Sequence, residues 1–388
     1  MVKNCVKITI VLMFAMSLIL PGQTAFSWEK GSLKIVPSLK FEEKWDSNIF
    51  YDTSDEKSDF ISILTPGIMA EAGFGKFDKH KAFVNYKVDL GMFSKYNDQN
   101  YGNHDLYGGV DLDLNKYRLQ TTDHFLFTSS RAGTDLDRRV LRKENTFKTV
   151  FSADWNKMSW DVGYSNYIID YLSDTLKGLD RYDNSIWTTG YIEIRPKTQV
   201  LFEYKYRNIY YPSTAASGRD GNANSAMVGL RGIISPKVTG IIKGGFKYQD
   251  YKNGQDFAAP VAEVGLEYKP TDRIDVNFSY LRDAIEATYT GGNYYSADHF
   301  LADVKYDLGR NWLAKLSGKY QHNAYDKRAV GVAKKREDNI FGVGCGLEYK
   351  IKEWCLLDAG YAYTQRASNI DTRDYDQHVI SSSVKVMF

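Results

Sequence analysis

Two short strings, Asp123-His124-Phe125 and Asp298-His299-Phe300, repeat one acid–imidazole order and are the first candidates for catalysis. An Asp–His pair can orient and activate a nucleophile. Adjacent residues of a strand point to opposite faces, so two neighbours cannot share a site if these strings lie in strands. We identify no serine partner for either string. The sequence therefore predicts a protein that is not an enzyme.

Other motifs that could hold a metal or a cofactor fail at defining positions. The run Asp111–Asn115 imitates the opening of a calcium loop, but position 6 is Lys116 instead of Gly and position 12 is Thr122 instead of Glu. The glycines of 342–346 lie in a predicted strand with no helix after it, which favours glycines at a curved wall over a phosphate loop. No cofactor and no metal are predicted.

The mature chain holds two cysteines, Cys345 and Cys355. A hairpin centred near Lys352 would pair Cys345 with Ala359, leaving the two thiols out of register by about four residues, or roughly 13 Å. That separation exceeds the reach of a disulfide. Both cysteines are predicted to be free.

The elements that must position all these residues are strands. In 83–90 the apolar Val84, Tyr86, Val88 and Leu90 alternate with polar residues, and the same period of two recurs in 200–207, 273–280, 300–308 and 312–321. No segment after the N-terminal region has a convincing helical period. The fold class is therefore all-β.

Short and long connections alternate along the chain. Pairs such as Asn115-Lys116, Asn156-Lys157 and Arg310-Asn311 form short turns, whereas 97–104, 133–144, 213–224, 252–260 and 328–338 are long polar loops. This layout is typical of a transmembrane antiparallel up-and-down β-barrel with short periplasmic turns and long extracellular loops. Strand starts are predicted at 33, 59, 82, 105, 117, 145, 158, 183, 199, 225, 238, 261, 273, 299, 312, 339, 354 and 378, which gives about 18 strands, with 16 as the alternative.

Both ends of the chain agree with that fold. Residues 1–27 combine Lys3 and Lys7, an apolar run over 8–20 and the small-residue site Ala25-Phe26-Ser27, which together predict a cleaved secretory signal peptide. Residues 28–388 then form the barrel, with only about five residues before the first strand and so no expected plug or periplasmic module. The terminal strand 378–388 ends on Phe388, predicted to be the signal for the barrel assembly machinery.

Composition narrows the environment. The chain has 29 Tyr but only 8 Pro and 6 His, and its formal net charge of +2 argues against a nucleic-acid partner. Aromatic residues near strand ends, including Tyr96, Tyr171, Trp312 and Trp354, predict girdles at the two faces of a membrane. The expected surroundings are outer-membrane lipids and lipopolysaccharide in the outer membrane of a Gram-negative bacterium.

The polar phase of the strands mixes both signs of charge, which predicts a hydrated lumen with weak ion preference. The candidate lumen-lining residues are Lys87, Asp89, Asp111, Asp113, Glu203, Lys205, Arg207, Lys243, Lys247, Asp275, Asp303, Lys305, Lys315 and Lys319.

Two predicted loops are strongly basic. One carries Arg131, Arg138, Arg139, Arg142 and Lys143, and the other carries Arg328, Lys334, Lys335 and Arg336. Ordinary solvated loop surface is the expected role of these residues. The alternative is contact with anionic surface polysaccharide or lipopolysaccharide through charge attraction.

Several stretches resemble a family of outer-membrane β-barrel porins whose genes often accompany exopolysaccharide and exosortase systems. They are EEKWDSNIFYD, SILTPGIMAEAGFGKFDKHKAFVNYKVD, SPKVTGIIKGGFKYQDY, YKPTDRIDVNFSYLRDAIEATYTGGNYY, REDNIFGVGCGLEYKIKEWCLLDAGYAYTQRASN and DYDQHVISSSVKVMF. The resemblance implies an 18-stranded barrel, a role in polysaccharide export with separate periplasmic export partners, and no catalytic residues.

Two functions follow from these patterns. The resemblance favours a conduit for exopolysaccharide export across the outer membrane, helped by aromatic residues able to stack on sugars. The strand number and the mixed lumen charge favour the alternative, a general diffusion porin for small hydrophilic solutes.

Overall fold

A computed structural model describes residues 28–133, 136, 138–213, 218–288, 292–328 and 334–388 of the chain. The predicted signal peptide, residues 1–27, lies outside the described residues. Among those that are described, no helix is long and apolar enough to cross a membrane.

The architecture consists of antiparallel strands joined by turns, loops and short 3-10 segments. The strands are β1 Trp28–Lys30, β2 Leu33–Asp46, β3 Asp59–Phe74, β4 His80–Phe93, β5 Tyr101–Asp113, β6 Tyr117–Thr128, β7 Arg142–Trp155, β8 Met158–Tyr171, β9 Arg181–Arg195, β10 Thr198–Tyr210, β11 Gly221–Ser235, β12 Val238–Tyr251, β13 Phe257–Thr271, β14 Ile274–Glu286, β15 Tyr294–Gly309, β16 Trp312–Arg328, β17 Lys335–Lys352, β18 Cys355–Ser368 and β19 Tyr375–Met387.

The strands β2 to β19 close into a barrel of 18 strands. Each strand pairs with the next along the chain, and β19 pairs with β2 from Val379↔Asp46 to Met387↔Ser38. Closure satisfies the backbone groups of both terminal strands, so no long edge remains to recruit another chain. The fold class and the strand number predicted from the sequence are confirmed.

The short strand β1 completes the seam between β19 and β2. Because β19 reaches only as far as Ser38, the first residues of β2 would lack a partner on that side. β1 folds back across Gly31 and pairs from Trp28↔Ile35 to Lys30↔Leu33, and the backbone N–H of Phe388 donates to the carbonyl of Pro37 at 2.8 Å. The first strand is therefore preceded by a paired segment, which the sequence patterns did not indicate.

The two ends of the barrel differ as predicted. Eight short connections lie at one end, called here the short-turn end, and nine longer ones lie at the other, the long-loop end. Arg310 and Asn311, the two residues between β15 and β16, have φ values of 50° and 70°. A two-residue type I′ turn requires both of its central residues to have positive φ, and its twist matches that of the two strands it joins.

Strand boundaries were predicted well at one end of the barrel and poorly at the other. At the short-turn end, Leu33, Tyr117, Met158, Val238 and Trp312 begin their strands where expected. At the long-loop end, five strands begin four or five residues earlier than predicted. They begin at Tyr101, Gly221, Phe257, Tyr294 and Lys335. These extra residues lie beyond the apolar outer surface of the barrel. Apolar and polar residues therefore do not alternate regularly there, and the sequence pattern does not reveal that the strands continue.

One face of the wall is apolar and exposed. Phe202, Val228 and Ile380 are 56%, 52% and 53% exposed, and strand register places them in one phase, which we call the outward face. The other phase carries the charged residues and contacts residues of distant strands, so it is the inward face. Such apolar-out, polar-in alternation is the pattern of a barrel wall surrounded by lipid.

Tyrosines on the outward face repeat one cross-strand contact. Tyr204 pairs directly with Ala226 on β11, and its hydroxyl donates to Asn224 two residues nearer the long-loop end, at 2.7 Å. The same diagonal recurs in five other hairpins. Those pairs are Tyr86–His104, Tyr164–Asn184, Tyr280–Asp298, Tyr320–Asn339 and Tyr361–His378. The tyrosine rings thus form a band whose polar tips all point toward the long-loop end.

The wall overlaps itself where β13 meets β14. Their pairing stops at Ala262↔Arg282, although β14 continues to pair with β15 up to Glu286↔Tyr294. The free end of the β14–β15 hairpin bends inside the barrel, where Ala284 and Tyr294 pack on Phe257 and Val261 of β13. This hairpin narrows the lumen at the long-loop end.

Candidate functional site

The predicted lumen residues all lie in the inward phase. On β10, Lys205 lies between the outward Tyr204 and Tyr206, and on β15, Asp303 lies between the outward Ala302 and Val304. The remaining candidates are Lys87, Asp89, Asp111, Asp113, Glu203, Arg207, Lys243, Lys247, Asp275, Lys305, Lys315 and Lys319, each placed inward by its pairing. That they line a path for solutes stays a prediction.

Side chains of β10 to β14 fill their own sector of the interior. Lys243 on β12 contacts Glu263 on the neighbouring β13 at 2.9 Å and Glu203 on β10, two strands away, at 3.2 Å. Lys247 binds Asp283 at 2.7 Å. With one or two carboxylates on each lysine, these cations are neutralised within the wall. This part of the interior serves packing more than passage.

A buried polar network joins this sector to the inner hairpin. Arg207 contacts Asp183 on β9 at 2.7 Å and Glu286, at the tip of β14, at 3.5 Å. Glu286 also accepts a hydrogen bond from Gln249 at 2.7 Å and one from the Tyr251 hydroxyl at 3.2 Å. Because each buried charge finds a partner of opposite sign, the network fixes the inner hairpin against β10 and β12.

The sector from β14 to β19 is open. A recess of about 610 Å³ lies on its inward face. Its floor is formed by Gly344, Gly346 and Gly360, whose positions carry no side chain into the lumen. Ser317 and Ser381 border this floor. The inward side chains that line the recess include no aromatic ring, since Tyr361 lies in the outward phase.

Charges line one side of the recess. The Nζ of Lys315 lies 2.7 Å from Glu348 and 2.8 Å from Asp358, so this cation is shared by two carboxylates. Asp303 and Lys305 also line the recess, two residues apart on the inward face of β15.

A second cavity adjoins the recess. It has a volume of about 290 Å³ and reaches β12 and β13 at Thr239, Gly265 and Glu267. Asn277 and Asp303 border both cavities. The open part of the lumen therefore extends from β12 to β19, and Asp303 lies where its two parts meet.

The β6–β7 loop, residues 129–141, folds into the mouth at the long-loop end. Its Arg131 guanidinium lies 4.0 Å from the centre of the Tyr51 ring and 5.3 Å from that of Tyr375, and it donates to the Tyr375 hydroxyl at 3.2 Å. Burial raises the pKa of the Tyr51 hydroxyl above its ordinary value, so the ring stays neutral beneath the cation.

The same loop contacts two further sectors of the wall. Ala132 and Leu136 pack against the cluster of Val140, Ile169, Tyr171 and Leu176 at β8. On the far side, a cavity of about 160 Å³ separates Ala132 and Gly133 from Ala287 and Tyr295 of the inner hairpin. The loop thus spans the mouth between three parts of the barrel rim.

Most arginines of this loop are not solvated surface groups, contrary to expectation. Arg139 stacks 3.9 Å above the Tyr101 ring. Arg142 is 5% exposed and donates to the carbonyls of Ser130 and Val140. Arg138 remains exposed. In the other basic segment, Arg336 is buried on β17 and binds Asp338, again contrary to expectation. The difference has a physical cause: a guanidinium can lie flat on an inward aromatic ring and still hydrogen-bond at its edge, and sequence spacing does not reveal those rings.

In each D-H-F string, the aspartate and the histidine lie on opposite faces of the wall, as expected for neighbouring residues of a strand. His124 points inward to Asp105, at 2.9 Å, whereas Asp123 points outward and accepts from Asn145. His299 points inward to Asn323, at 2.9 Å. Asp298 points outward and binds Arg282 at 3.1 Å. Neither string brings its acid to its own imidazole.

Two further motifs have structural roles. Asp111 of the calcium-like run pairs with Arg118 across the β5–β6 hairpin. Both cysteines are free, although the predicted register was wrong: Cys345 faces Tyr361, not Ala359, because the β17–β18 turn lies at Glu353-Trp354 and not at Lys352, which moves each partner by two residues. In the described ranges, no group of three or more His, Cys, Asp or Glu is placed to hold a metal.

The sequence patterns do not indicate the open recess. They favour a curved wall as the reason for the glycines of 342–346, and they do not single out Ser317, Asp358 or Ser381. A signal was available, since Gly344, Gly346 and Gly360 occupy neighbouring inward positions once the register is known. Without the register of β17 and β18, the sequence does not show that these three glycines lie side by side.

The chain is similar in sequence or in fold to known β-barrel proteins. A family model described as "Putative beta-barrel porin 2" matches residues 25–388. Among solved structures, a BenF-like porin from Pseudomonas fluorescens Pf-5 is similar, with a TM-score of 0.51, 9% identity, and coverage of 92% of this chain and 99% of that one. OpdK from Pseudomonas aeruginosa has a TM-score of 0.49 and 8% identity, with coverage of 91% and 99%. OccAB3 from Acinetobacter baumannii has a TM-score of 0.49 and 9% identity, with coverage of 92% and 100%. A search of curated proteins found no match.

Proposed function

Because the chain belongs to the family described as "Putative beta-barrel porin 2", we propose that it is an outer-membrane channel through which small hydrophilic solutes diffuse. The observation that carries this proposal is the polar recess inside a closed 18-strand barrel. Its serines, lysines and carboxylates can exchange hydrogen bonds with a hydrated solute, and its glycine floor leaves room for one.

The constricted mouth favours small solutes over polymers. The β6–β7 loop and the inner β14–β15 hairpin both reduce the opening at the long-loop end. The inward lining of the recess offers no aromatic surface on which sugar rings could stack. Exopolysaccharide export, the function implied by the sequence resemblance, is therefore less well supported than diffusion.

Liposome swelling tests the proposal directly. The refolded protein should let monosaccharides and amino-acid-sized solutes enter liposomes, and the rate should fall steeply with solute size. Liposomes with a heat-denatured sample are the control. Swelling equal to that control for every small solute would contradict a diffusion channel.

A gene deletion separates diffusion from export. We expect surface polysaccharide to be unchanged in the deletion strain and the uptake of small hydrophilic solutes to be slower. Loss of surface polymer, with polymer accumulating in the periplasm, would instead support an export conduit. Complementation with the intact gene controls for effects on neighbouring genes.

A further inference from the structure

Two charges in the recess are left without ionic partners. Lys305 and Asp303 take part in no ion pair within the part of the chain that the structure describes, whereas nearby Lys315 is shared by Glu348 and Asp358. The neighbouring Lys269 likewise contacts Glu267 at 2.7 Å and Asp275 at 3.6 Å. Within the lining of the recess, Lys305 and Asp303 are thus the charged residues that have no ionic partner.

Their spacing suits a ligand that bears both signs. Both residues are inward, two positions apart on β15, so their Cα atoms are separated by about 6.8 Å along the strand. Flexible side chains bring an ammonium and a carboxylate to either end of a small molecule at that distance. A simple anion near Lys305 would meet repulsion from Asp303, and a simple cation near Asp303 would meet repulsion from Lys305.

The cross-strand neighbours of Lys305 are charged but bind other residues: Asp275 contacts Lys269, and Lys315 is shared by Glu348 and Asp358. The neighbours of Asp303 are neutral and can form hydrogen bonds. Asp303 pairs directly with Asn277 on β14 and Ser317 on β16. The glycine floor lies beside Ser317, since Ser317 pairs with Gly344. A solute of amino-acid size fits beside these residues in a recess of about 610 Å³.

We infer that this recess is a weak binding site for small zwitterions, an inference that rests on the proposed function. Lys305 would face the carboxylate of the solute, and Asp303 would face its ammonium group. Asp303 borders both cavities of the open lumen, so a solute held there lies on the path and not in a side pocket. The site would favour amino acids and short peptides over neutral solutes of equal size.

Liposome swelling with matched probes tests this inference. The probes are glycylglycine, which is zwitterionic, N-acetylglycinamide, which is neutral, glycinamide, a cation, and N-acetylglycinate, an anion. For the full mature chain at low solute concentration, glycylglycine should enter roughly two to five times faster than N-acetylglycinamide. The two single-charge probes should show no such advantage.

Variants identify the residues. In the double variant Asp303→Asn/Lys305→Gln, the preference for glycylglycine should vanish while the entry of N-acetylglycinamide is unchanged. The exchange Asp303→Lys/Lys305→Asp keeps both charges and should retain part of the preference. The matched control, Asp170→Asn/Lys177→Gln, removes an exposed ion pair at 2.6 Å that lies away from the recess, with Asp170 in the outward phase of β8, and should behave as wild type.

Two results would overturn the inference. One is an undiminished preference for glycylglycine in the Asp303→Asn/Lys305→Gln variant. The other is an equal advantage for a single-charge probe over the neutral one, which would indicate a site for one sign only. If N-acetylglycinamide itself does not enter, the diffusion channel is contradicted and the zwitterion site falls with it.

Discussion

At the scale of single residues, the inward charges divide into those that hold the wall together and those that face open water. Glu286 belongs to the first group: its side chain is 1% exposed and it lies within reach of Arg207, Gln249 and Tyr251. Lys305 belongs to the second. The same residue types therefore have different consequences when they are removed.

Glu286→Ala should destabilise the barrel. Removing one partner from a buried ionic network leaves Arg207 with Asp183 alone and takes from Gln249 and Tyr251 the carboxylate to which both donate, so we expect the free energy of unfolding to fall by about 2–4 kcal/mol. Urea unfolding from lipid vesicles, followed by tryptophan fluorescence, measures the change. Glu263→Ala is the control: that side chain is 46% exposed and Lys243 keeps Glu203, so less than ~1 kcal/mol should be lost. Equal losses in the two variants would contradict a structural role for the Glu286 network.

Gly360→Val should narrow the open sector. A Cβ at Gly360 would lie 3.4 Å from the nearest heavy atom, an ordinary contact, so the strand accepts the side chain while the recess loses space. We expect single-channel conductance in planar bilayers to fall by roughly a tenth to a third. Gly190→Val adds the same bulk where no atom lies within 4 Å, on the outward face, and should leave conductance unchanged. A conductance unaffected by Gly360→Val would place the ion path elsewhere.

At the scale of elements, the β6–β7 loop and the tyrosine-bearing hairpins are positioned by side-chain contacts that the alternation of polar and apolar residues does not predict. The loop narrows the mouth, and cation–aromatic contacts join it to the β2–β3 connection and to β19. Such contacts are individually weak, about 0.5–2 kcal/mol, so the position of the loop is sensitive to single substitutions.

Arg131→Ala should loosen the β6–β7 loop at the mouth. The variant loses the stack on Tyr51 and the hydrogen bond to Tyr375, and we expect larger and noisier single-channel currents with barrel stability nearly unchanged. Arg138→Ala removes an arginine of the same loop that is exposed, and its currents should match wild type. Wild-type currents from Arg131→Ala would show that the packing of Leu136 alone holds the loop.

Tyr204→Phe tests the repeated diagonal contact. Losing the hydroxyl that donates to Asn224 should cost about 0.5–1.5 kcal/mol of unfolding free energy. A double-mutant cycle with Asn224→Ala isolates the pair, and Tyr268→Phe, an exposed outward tyrosine near the short-turn end, is the matched control. A coupling energy near zero would mean that the tyrosine band acts only through its rings in the membrane.

At the scale of the whole molecule, the sequence was sufficient for architecture and insufficient for the shape of the lumen. Alternation and turn spacing predicted the 18 strands and which phase each residue occupies, because a barrel wall imposes a period of two on every strand. The site depends on how loops and hairpins fold inward. Arg131 meets Tyr375 across 244 residues of sequence, and the bend of β14 away from β13 has no local pattern, so neither could be anticipated.

Phe388 is the whole-molecule feature that awaits a test. Its backbone joins the seam at Pro37, and we predict that Phe388→Ala lowers the amount of assembled barrel in cells about two- to tenfold, because the seam joins the two ends of the chain and such non-local pairing forms slowly without the proposed assembly signal. Heat-modifiable migration on gels measures the folded fraction. Phe341→Ala removes an equally aromatic outward side chain, 49% exposed, far from the terminus. Comparable losses in both variants would argue against a special role for Phe388.

The overlap between β13 and β14 has a mechanical consequence. Elsewhere around the wall, neighbouring strands are joined by rows of directional hydrogen bonds that resist sliding. Beyond Ala262, side-chain packing takes over: Phe257 and Val261 of β13 contact Ala284 of β14 and Tyr294 of β15. Apolar contacts tolerate small displacements because they have no preferred direction. At this joint the width of the bore is therefore set by the packing and polar contacts of side chains, and not by a row of backbone hydrogen bonds.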